Sequence, residues 1–363
     1  MKRICFYTSD YGYGHAARDI ALIRRIQQSG FAETFVKTDT AFDFMRRSLP
    51  GCTVIRQRND ISLIYKKDGI NIDRDLTERA LDEWVDSWDD YIRSEKDFCK
   101  ANKIDMILSD ITPQTFLVAK DLGIPGAGFS NFTWHYIFKN LLGENHAVKR
   151  LEEAYRAGDL AMILPFHEEM GLFNTRKEIP LVSRAVNVRR DAIRAMNGVR
   201  KDELLIYLGQ GRSLTSGIFK ELNDLDLKGK KLLVSSSIEL SDGIPGEKIV
   251  RIPSTETESQ NYLAMADLVV SKTGYSTVSE AIRGRVPMFL FRREGYEEDK
   301  LTADGVKRLG VGREIRVEDF AEGRWIDGLD DLEKYRSGFD RLDDTFKADG
   351  TLDAVDTIKE IIH

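Results

Sequence analysis

The chain has 363 residues, 42% hydrophobic and 31% charged, enough apolar material for a sizeable core and too much for a disordered chain. Its 54 Lys and Arg against 60 Asp and Glu give a formal net charge of −6, which argues against nucleic acid as partner while leaving room for a local basic groove. At about 150 residues per domain the length points to two domains. The three cysteines, Cys5, Cys52 and Cys99, fit neither a disulfide framework nor a zinc site and indicate reduced thiols in a cytoplasmic protein.

Residues 4–8 form a short β-rich apolar run that stops at a glycine turn. A helical pattern, with Ile20, Ile23 and Ile26 on one face, then runs from about Ala16 to Gly30. Residues 35–38 and 53–55 read as the next strands. The acidic stretch 73–97 reads as one amphipathic helix turning Trp84, Trp88 and Tyr91 inward. A compact buried strand at 106–109 is followed by a helix over 115–122 and a strand entered through 123–129. The series restarts in the second half, with strands at 204–208, 231–234, 249–252, 268–271 and 286–291. Strands alternating with helices give parallel sheets covered on both faces, so two such series predict two doubly wound α/β domains. Their junction falls in the charged stretch 177–190, which holds Pro180. No stretch approaches 18 uninterrupted apolar residues.

The segment Gly12-Tyr13-Gly14-His15-Ala16-Ala17 follows the first strand and opens a helix. Its glycines let the backbone approach a ligand, and the helix start offers unpaired N–H groups. His15 suits proton abstraction from a hydroxyl; the alternative is a tight turn with His15 capping the helix. The spacing also matches the dinucleotide fingerprint, in which Asp39 would take the ribose. Asp110, just past the strand at 106–109, either orients His15 or caps the helix after Pro113.

Across 271–281 a strand ends in a hydroxyl-rich glycine turn before a helix, an assembly suited to a diphosphate. Gly274, Tyr275, Ser276 and Thr277 form the turn, Lys272 adds a charge, and Glu280 offers acceptors for two vicinal ribose hydroxyls. The competing interpretation is a capping box from Ser276 or Thr277 to Glu280. A second turn, Gly209-Gln210-Gly211-Arg212-Ser213, sets Arg212 against a phosphate or into solvent, and Glu297, Glu298 and Asp299 either bind sugar hydroxyls or form a charged loop. Trp134 and His135 either stack on an acceptor sugar or pack on the following helix. Ile137, Phe138, Leu141 and Leu142 beside Lys139 suggest a peripheral membrane contact. Asp73 and Asp75 frame a metal–diphosphate alternative, weakened by how common such triplets are in so charged a chain.

Three groups of residues, 13–18, 109–113 with 131–134, and 272–281 with Arg292 and Arg293, resemble the two-domain GT-B glycosyltransferases. The resemblance extends to the peptidoglycan N-acetylglucosaminyltransferase branch and, more closely, to the glycosyltransferase-like N-terminal region of L-arabinokinases. It implies two Rossmann-like domains facing across a cleft, 1–182 for the acceptor and 183–349 for a nucleotide sugar, with a last helix at about 350–363 crossing back onto the first. It also implies that His15 is the base aided by Asp110, that Glu280 binds the ribose, and that Gly274, Ser276 and Thr277 hold the diphosphate without a metal. There are departures from the pattern. Tyr13 replaces a glycine of the peptidoglycan enzyme's loop, and Lys272 stands where plant-type transferases often carry histidine. The glutamine that commonly reads the donor sugar has no evident counterpart, leaving Glu297, Glu298 or Asp299. The kinase half of arabinokinases has no counterpart, so kinase activity is not implied.

The expectation is an inverting glycosyltransferase that moves a sugar from a nucleoside-diphosphate donor, UDP-linked, to an acceptor hydroxyl. Gly12, Tyr13, Gly14, Trp134 and His135 would meet the acceptor, whether small molecule, glycan or lipid-linked, with no metal and no cofactor beyond the sugar nucleotide. The alternatives are a non-catalytic nucleotide-sugar-binding regulator, an epimerase or hydrolase of the same fold, and an NAD-dependent oxidoreductase built on the first glycine loop.

Overall fold

The computed structural model describes residues 1–66, 71–210, 222, 225–235, 238–240 and 242–362. The chain divides into two compact units, one of residues 1–66, 72–182 and 347–363, the other of 67–71 and 183–346.

The first unit is built on β1 (Lys2–Tyr7), β2 (Ala32–Thr38), β3 (Thr53–Arg56), β4 (Met106–Ser109), β5 (Gly126–Ser130), β6 (Leu160–Ile163) and β7 (Thr175–Glu178). These form one sheet in the order β3-β2-β1-β4-β5-β6-β7, parallel throughout. Parallel pairing requires crossovers. They are supplied by α1 (Tyr13–Ser29), α2 (Phe42–Ser48), α3 (Arg74–Asp86), α4 (Trp88–Ala101), α5 (Gln114–Leu122), α6 (Trp134–Leu142) and α7 (His146–Arg156). Central strands covered on both faces read as unbroken apolar runs, and Ile4, Cys5, Phe6 and Tyr7 of β1 are all inaccessible to solvent. The edge strand β7 reads Thr-Arg-Lys-Glu, the charged sequence that protects an open edge.

The stretch 73–97 is two helices rather than one. Asp73 caps α3 by accepting from the Leu76 N–H at 3.1 Å. The break falls at Ser87, whose hydroxyl donates to the Trp84 carbonyl at 2.7 Å and competes with the helical ladder. Trp84 and Trp88 meet edge to face at 5.3 Å. Of the α6 residues expected to meet a membrane, Ile137, Phe138 and Leu141 are buried in the unit's own core. Among the described residues no helix is long and apolar enough to cross a membrane.

The second unit repeats the plan with β8 (Leu204–Gly209), β9 (Lys230–Ser235), β10 (Ile249–Ile252), β11 (Leu268–Lys272), β12 (Met288–Phe291) and β13 (Gly312–Glu314). Their order is β10-β9-β8-β11-β12-β13, again all parallel. The helices of this half are α8 (Arg190–Met196), α9 (Ser259–Ala264), α10 (Tyr275–Gly284), α11 (Glu297–Leu309), α12 (Val317–Ala321), α13 (Leu332–Arg336) and α14 (Asp344–Lys347). A core containing Ile206, Leu208, Val270, Phe289, Phe291 and Trp325 fills one side of the sheet. The last helix, α15 (Gly350–Ile361), belongs to the first unit. There Arg25 of α1 donates to Asp349 at 2.6 Å and to the Thr351 hydroxyl at 3.1 Å.

In each sheet the strand order reverses at one point, between β1 and β4 in the first and between β8 and β11 in the second. Ligands of such sheets bind beyond the carboxyl ends of the strands at these switch points, and the residues with the relevant chemistry gather there.

Candidate active site

At the first switch point the chain leaves β1 through residues 8–11, turns at Gly12 and enters α1. Gly12 has φ +89°, a left-handed conformation that glycine adopts without strain. Helix α1 therefore starts at Tyr13, three residues before the sequence pattern indicates, and His15 lies in its first turn rather than in a loop. The loop is anchored from below by two buried carboxylates. Asp10 accepts from the backbone N–H groups of Asp39, Thr40 and Asn59 at 2.7–2.8 Å. Asp60 accepts from the Ser9 hydroxyl at 2.6 Å and the Asp10 N–H at 2.7 Å. Burial and then the Asp10 charge push the Asp60 carboxyl up to about 7.

Beyond β4, Ile111 adopts φ +60°, a rare conformation for a β-branched residue and a form of strain that concentrates at functional sites. The Tyr155 hydroxyl holds this corner by donating to the Ile111 carbonyl at 2.5 Å. Asp110, just before the corner, is buried and lies 3.0 Å through Oδ1 from His15 Nδ1. It does not cap α5, whose N-terminus has no side-chain cap. Its chief partner is Arg18, a residue without an expected role of its own. Arg18 Nε donates to Asp110 Oδ2 at 2.8 Å, and Arg18 Nη2 is paired with Asp110 Oδ1. The same guanidinium donates to Asn131 Oδ1 at 2.8 Å and the Ser130 hydroxyl at 3.1 Å, and its Nη2 lies 2.8 Å from His15 Nδ1. Burial pushes the Asp110 carboxyl up, but Arg18 and then His15 outweigh it and hold it below the usual range. The site is thus a buried His15–Arg18–Asp110 cluster in which an arginine stands between the two expected partners.

At the second switch point β11 ends at Lys272, and Thr273 ties the turn to β12 by donating twice to the Phe291 carbonyl, at 2.8 and 2.9 Å. Gly274 occupies the N-cap of α10, and Ser276 and Thr277 lie inside the helix. The capping-box interpretation of Ser276 or Thr277 with Glu280 therefore does not apply. Glu280 is buried, and its Oε1 accepts from Arg184 Nε at 2.8 Å and pairs with the same guanidinium through Nη2. Arg184 is also anchored on the Thr257 carbonyl at 2.5 Å and the Ser259 hydroxyl at 3.0 Å. The Tyr207 phenol, facing this pair, is pushed up to about 12 by burial and then by Glu280. Lys272 is half-buried. Burial and then Arg293 push its ammonium down to about 8, against the opposite pull of Asp299 and Glu298.

The other predicted residues are placed unevenly. Gly209 ends β8 beside β11, where a Cβ would come within 2.6 Å of Ser271 Oγ, so the close approach requires glycine. Gly211, Arg212 and Ser213 lie outside the described residues. Asp299 is taken by Arg293, which donates from Nε at 2.9 Å and Nη2 at 2.7 Å. Glu298 is buried in the first turn of α11. Glu297 lines a recess of about 470 Å³ with Arg292, Arg293, Glu294 and Tyr296. Asp39 is paired with Arg56 at 2.9 Å.

Two acceptor assignments need correction. Trp134 offers no stacking face: it is 0% exposed, donates from Nε1 to Asp60 at 2.8 Å and packs on Phe138 at 5.1 Å. An aromatic residue opening a helix satisfies the core here because a buried carboxylate receives its indole N–H. His135 lies among Lys139, Glu144, Glu152 and Arg156, and burial and then Lys139 lower its pKa. Tyr13 stacks on Phe44 at 5.2 Å, while Gly14 continues the first turn of α1. Among the described residues no group of three or more His, Cys, Asp or Glu is placed to hold a metal ion.

Comparison with known proteins bears on the family and the fold. The chain is 24% identical over 332 residues to an L-arabinokinase of Arabidopsis thaliana, covering 90% of this chain and 31% of that protein. It spans about a third of the length of the curated relatives it matches. Among solved structures, the calicheamicin glycosyltransferase CalG4 superposes with a TM-score of 0.70 at 15% identity, covering 99% of this chain and 98% of that one. The spinosyn rhamnosyltransferase SpnG complexed with thymidine diphosphate gives 0.66 at 14% identity, over 99% and 100%. At these identities the likeness establishes the fold, which is GT-B. The glycosyl transferase family 1 profile matches residues 2–330, most of both units, and the chain belongs to that family.

Proposed function

We propose that this protein transfers a sugar, with inversion, from a nucleoside-diphosphate sugar to an acceptor hydroxyl. The observation that carries the reading is the burial of His15 against Asp110 at the first switch point, with Nδ1 and Oδ1 3.0 Å apart, a base beside a carboxylate that orients it once Nδ1 carries a proton. His15 would take the acceptor proton at Nε2 while the hydroxyl oxygen attacks the anomeric carbon and the diphosphate departs.

The second unit would hold the donor. The N-terminus of α10, with Gly274, Tyr275, Ser276 and Thr277, suits the diphosphate oxygens. Lys272 supplies charge where the leaving group develops it, so the reaction needs no metal in this reading. Glu280 keeps Oε2 for a ribose hydroxyl, since among the described residues only Oε1 is paired. Gly209 and Gln210 lie at the end of β8, beside β11. Glu297, which lines the recess with Arg292 and Tyr296, would meet sugar hydroxyls. A uridine donor is the first to test, with thymidine as comparison because SpnG has been complexed with thymidine diphosphate.

A thermal-shift panel of nucleotides and nucleotide sugars tests the proposal. A ligand at 100 times its Kd stabilises the fold by about 2.7 kcal/mol, a readily measured shift. If no nucleoside diphosphate or its sugar moves the melting curve, the proposal fails. Transfer would then be assayed with the stabilising donor against a panel of hydroxyl acceptors, and the anomeric configuration of the product read by NMR.

A further inference from the structure

We propose that Arg18 decides which ring nitrogen of His15 carries the proton, holding Nδ1 bare and Nε2 protonated in the resting protein. The inference rests on the reading of His15 as the acceptor's base and says what must change before it can act as one.

Imidazole Nδ1 has one in-plane position, filled either by a proton or by a lone pair. Two groups contend for it. Asp110 Oδ1, 3.0 Å away, can only accept and so requires a proton on Nδ1. Arg18 Nη2, 2.8 Å away, can only donate and so requires the lone pair, because guanidinium does not lose its proton in proteins. A protonated Nδ1 would put two N–H groups face to face at that distance for as long as Nη2 directs its second proton at His15. Asp110 does not depend on His15 for a donor, since Arg18 serves both its oxygens. Arg18 is held where it is by the 2.8 Å bond to Asn131 and by almost complete burial. With Nδ1 bare, Nη2 gives one proton to Asp110 and the other to His15.

In that arrangement Nε2 is a donor and cannot accept the acceptor's proton. The productive form requires the Nε2 proton to leave to water and Nδ1 to take one from water, with no change in net charge. Nδ1 then donates to Asp110. The Arg18 proton this displaces has a second acceptor at hand, the Ser130 hydroxyl 3.1 Å from Nη2. Arg18 is a positioning residue, acting on the reaction through His15.

Ring nitrogens of the whole protein labelled with 15N read the tautomer directly at mildly alkaline pH. The couplings to the two carbon-bound ring protons distinguish Nδ1 from Nε2, and His15→Gln identifies the signals by removing them. The expected wild-type spectrum has His15 Nδ1 at the downfield position of a bare nitrogen and Nε2 at that of a protonated one. Arg18→Met should invert the pair, with Nδ1 protonated toward Asp110. A wild-type spectrum with Nδ1 protonated and Nε2 bare overturns the proposal, as does an unchanged tautomer in Arg18→Met. Where Arg18→Met does not fold, the wild-type spectrum alone decides. Failure of the base reading has a different signature: transfer persists in His15→Gln whatever the tautomer.

Discussion

The two units place their chief functional carboxylate in the same way and then use it differently. Asp110 and Glu280 both follow the central strand at a switch point, both are buried, and each is gripped by one buried arginine. Arg18 engages both oxygens of Asp110, which also lies against His15. Arg184 engages only Oε1 of Glu280. A carboxylate saturated by its own protein can position a neighbour but has little capacity left for a ligand. One held by a single oxygen is oriented and still able to accept. The contrast fits the proposed roles, Asp110 scaffolding the base and Glu280 binding the donor.

If that contrast is right, Asp110→Ala has the largest effect on folding. Removing one partner of a buried pair leaves an uncompensated charge, at a cost of about 3–5 kcal/mol. Denaturant unfolding should show a shift of that size, with transfer lost as well. An unchanged midpoint would mean that Arg18 finds other partners and that the pair is not what holds the cluster. His15→Ala comes next. Losing a general base should lower kcat by about 10²–10⁴-fold, while donor Kd, set in the other unit, stays near the wild-type value. Equal losses of turnover and donor binding would make His15 structural.

How far the site was legible depends on whether a residue's signal is local. β4 and the turn after β11 were readable because an apolar run ending in glycine and hydroxyls carries its own meaning. The charged edge strand β7 was not, since Thr-Arg-Lys-Glu lacks the alternation that marks a half-buried strand. Arg18 was missed for a related reason. An arginine on the first turns of a helix reads as solvated, and its partners Asp110 and Asn131 lie 92 and 113 residues away. Arg184 was hidden likewise in the charged stretch of the junction. The one available hint was spacing: Arg18 follows His15 by three residues, on the same helical face. Trp134 misled in the opposite sense, because its buried carboxylate partner, Asp60, is 74 residues distant.

Glu280→Gln sharpens the comparison from the binding side. The amide keeps an acceptor for Arg184 but removes the charge from the oxygen assigned to ribose. A hydrogen bond to a charged group contributes about 1.5–3 kcal/mol, so donor Kd measured by calorimetry should rise roughly tenfold or more. Little change in Kd, with a large fall in stability, would make Glu280 a scaffold like Asp110 and erase the contrast.

The smallest effect expected is a pH dependence that belongs to the second unit alone. Lys272, pushed down to about 8, carries its charge below that value and loses it above. Diphosphate affinity should therefore fall as pH rises through about 8, by roughly tenfold at most if one charge-assisted contact is lost. Folding stability responds with the opposite sign. Between about 8 and the unperturbed lysine value near 10.4, the unfolded chain binds more protons than the folded one, so this group's contribution to stability rises with pH. Lys272→Arg separates the two readouts, because guanidinium keeps its charge throughout and should make the affinity profile flat across the same window. A wild-type profile that is already flat would mean that the donor's phosphates do not meet Lys272. The α10 N-terminus would then be left as the principal diphosphate contact among the described residues.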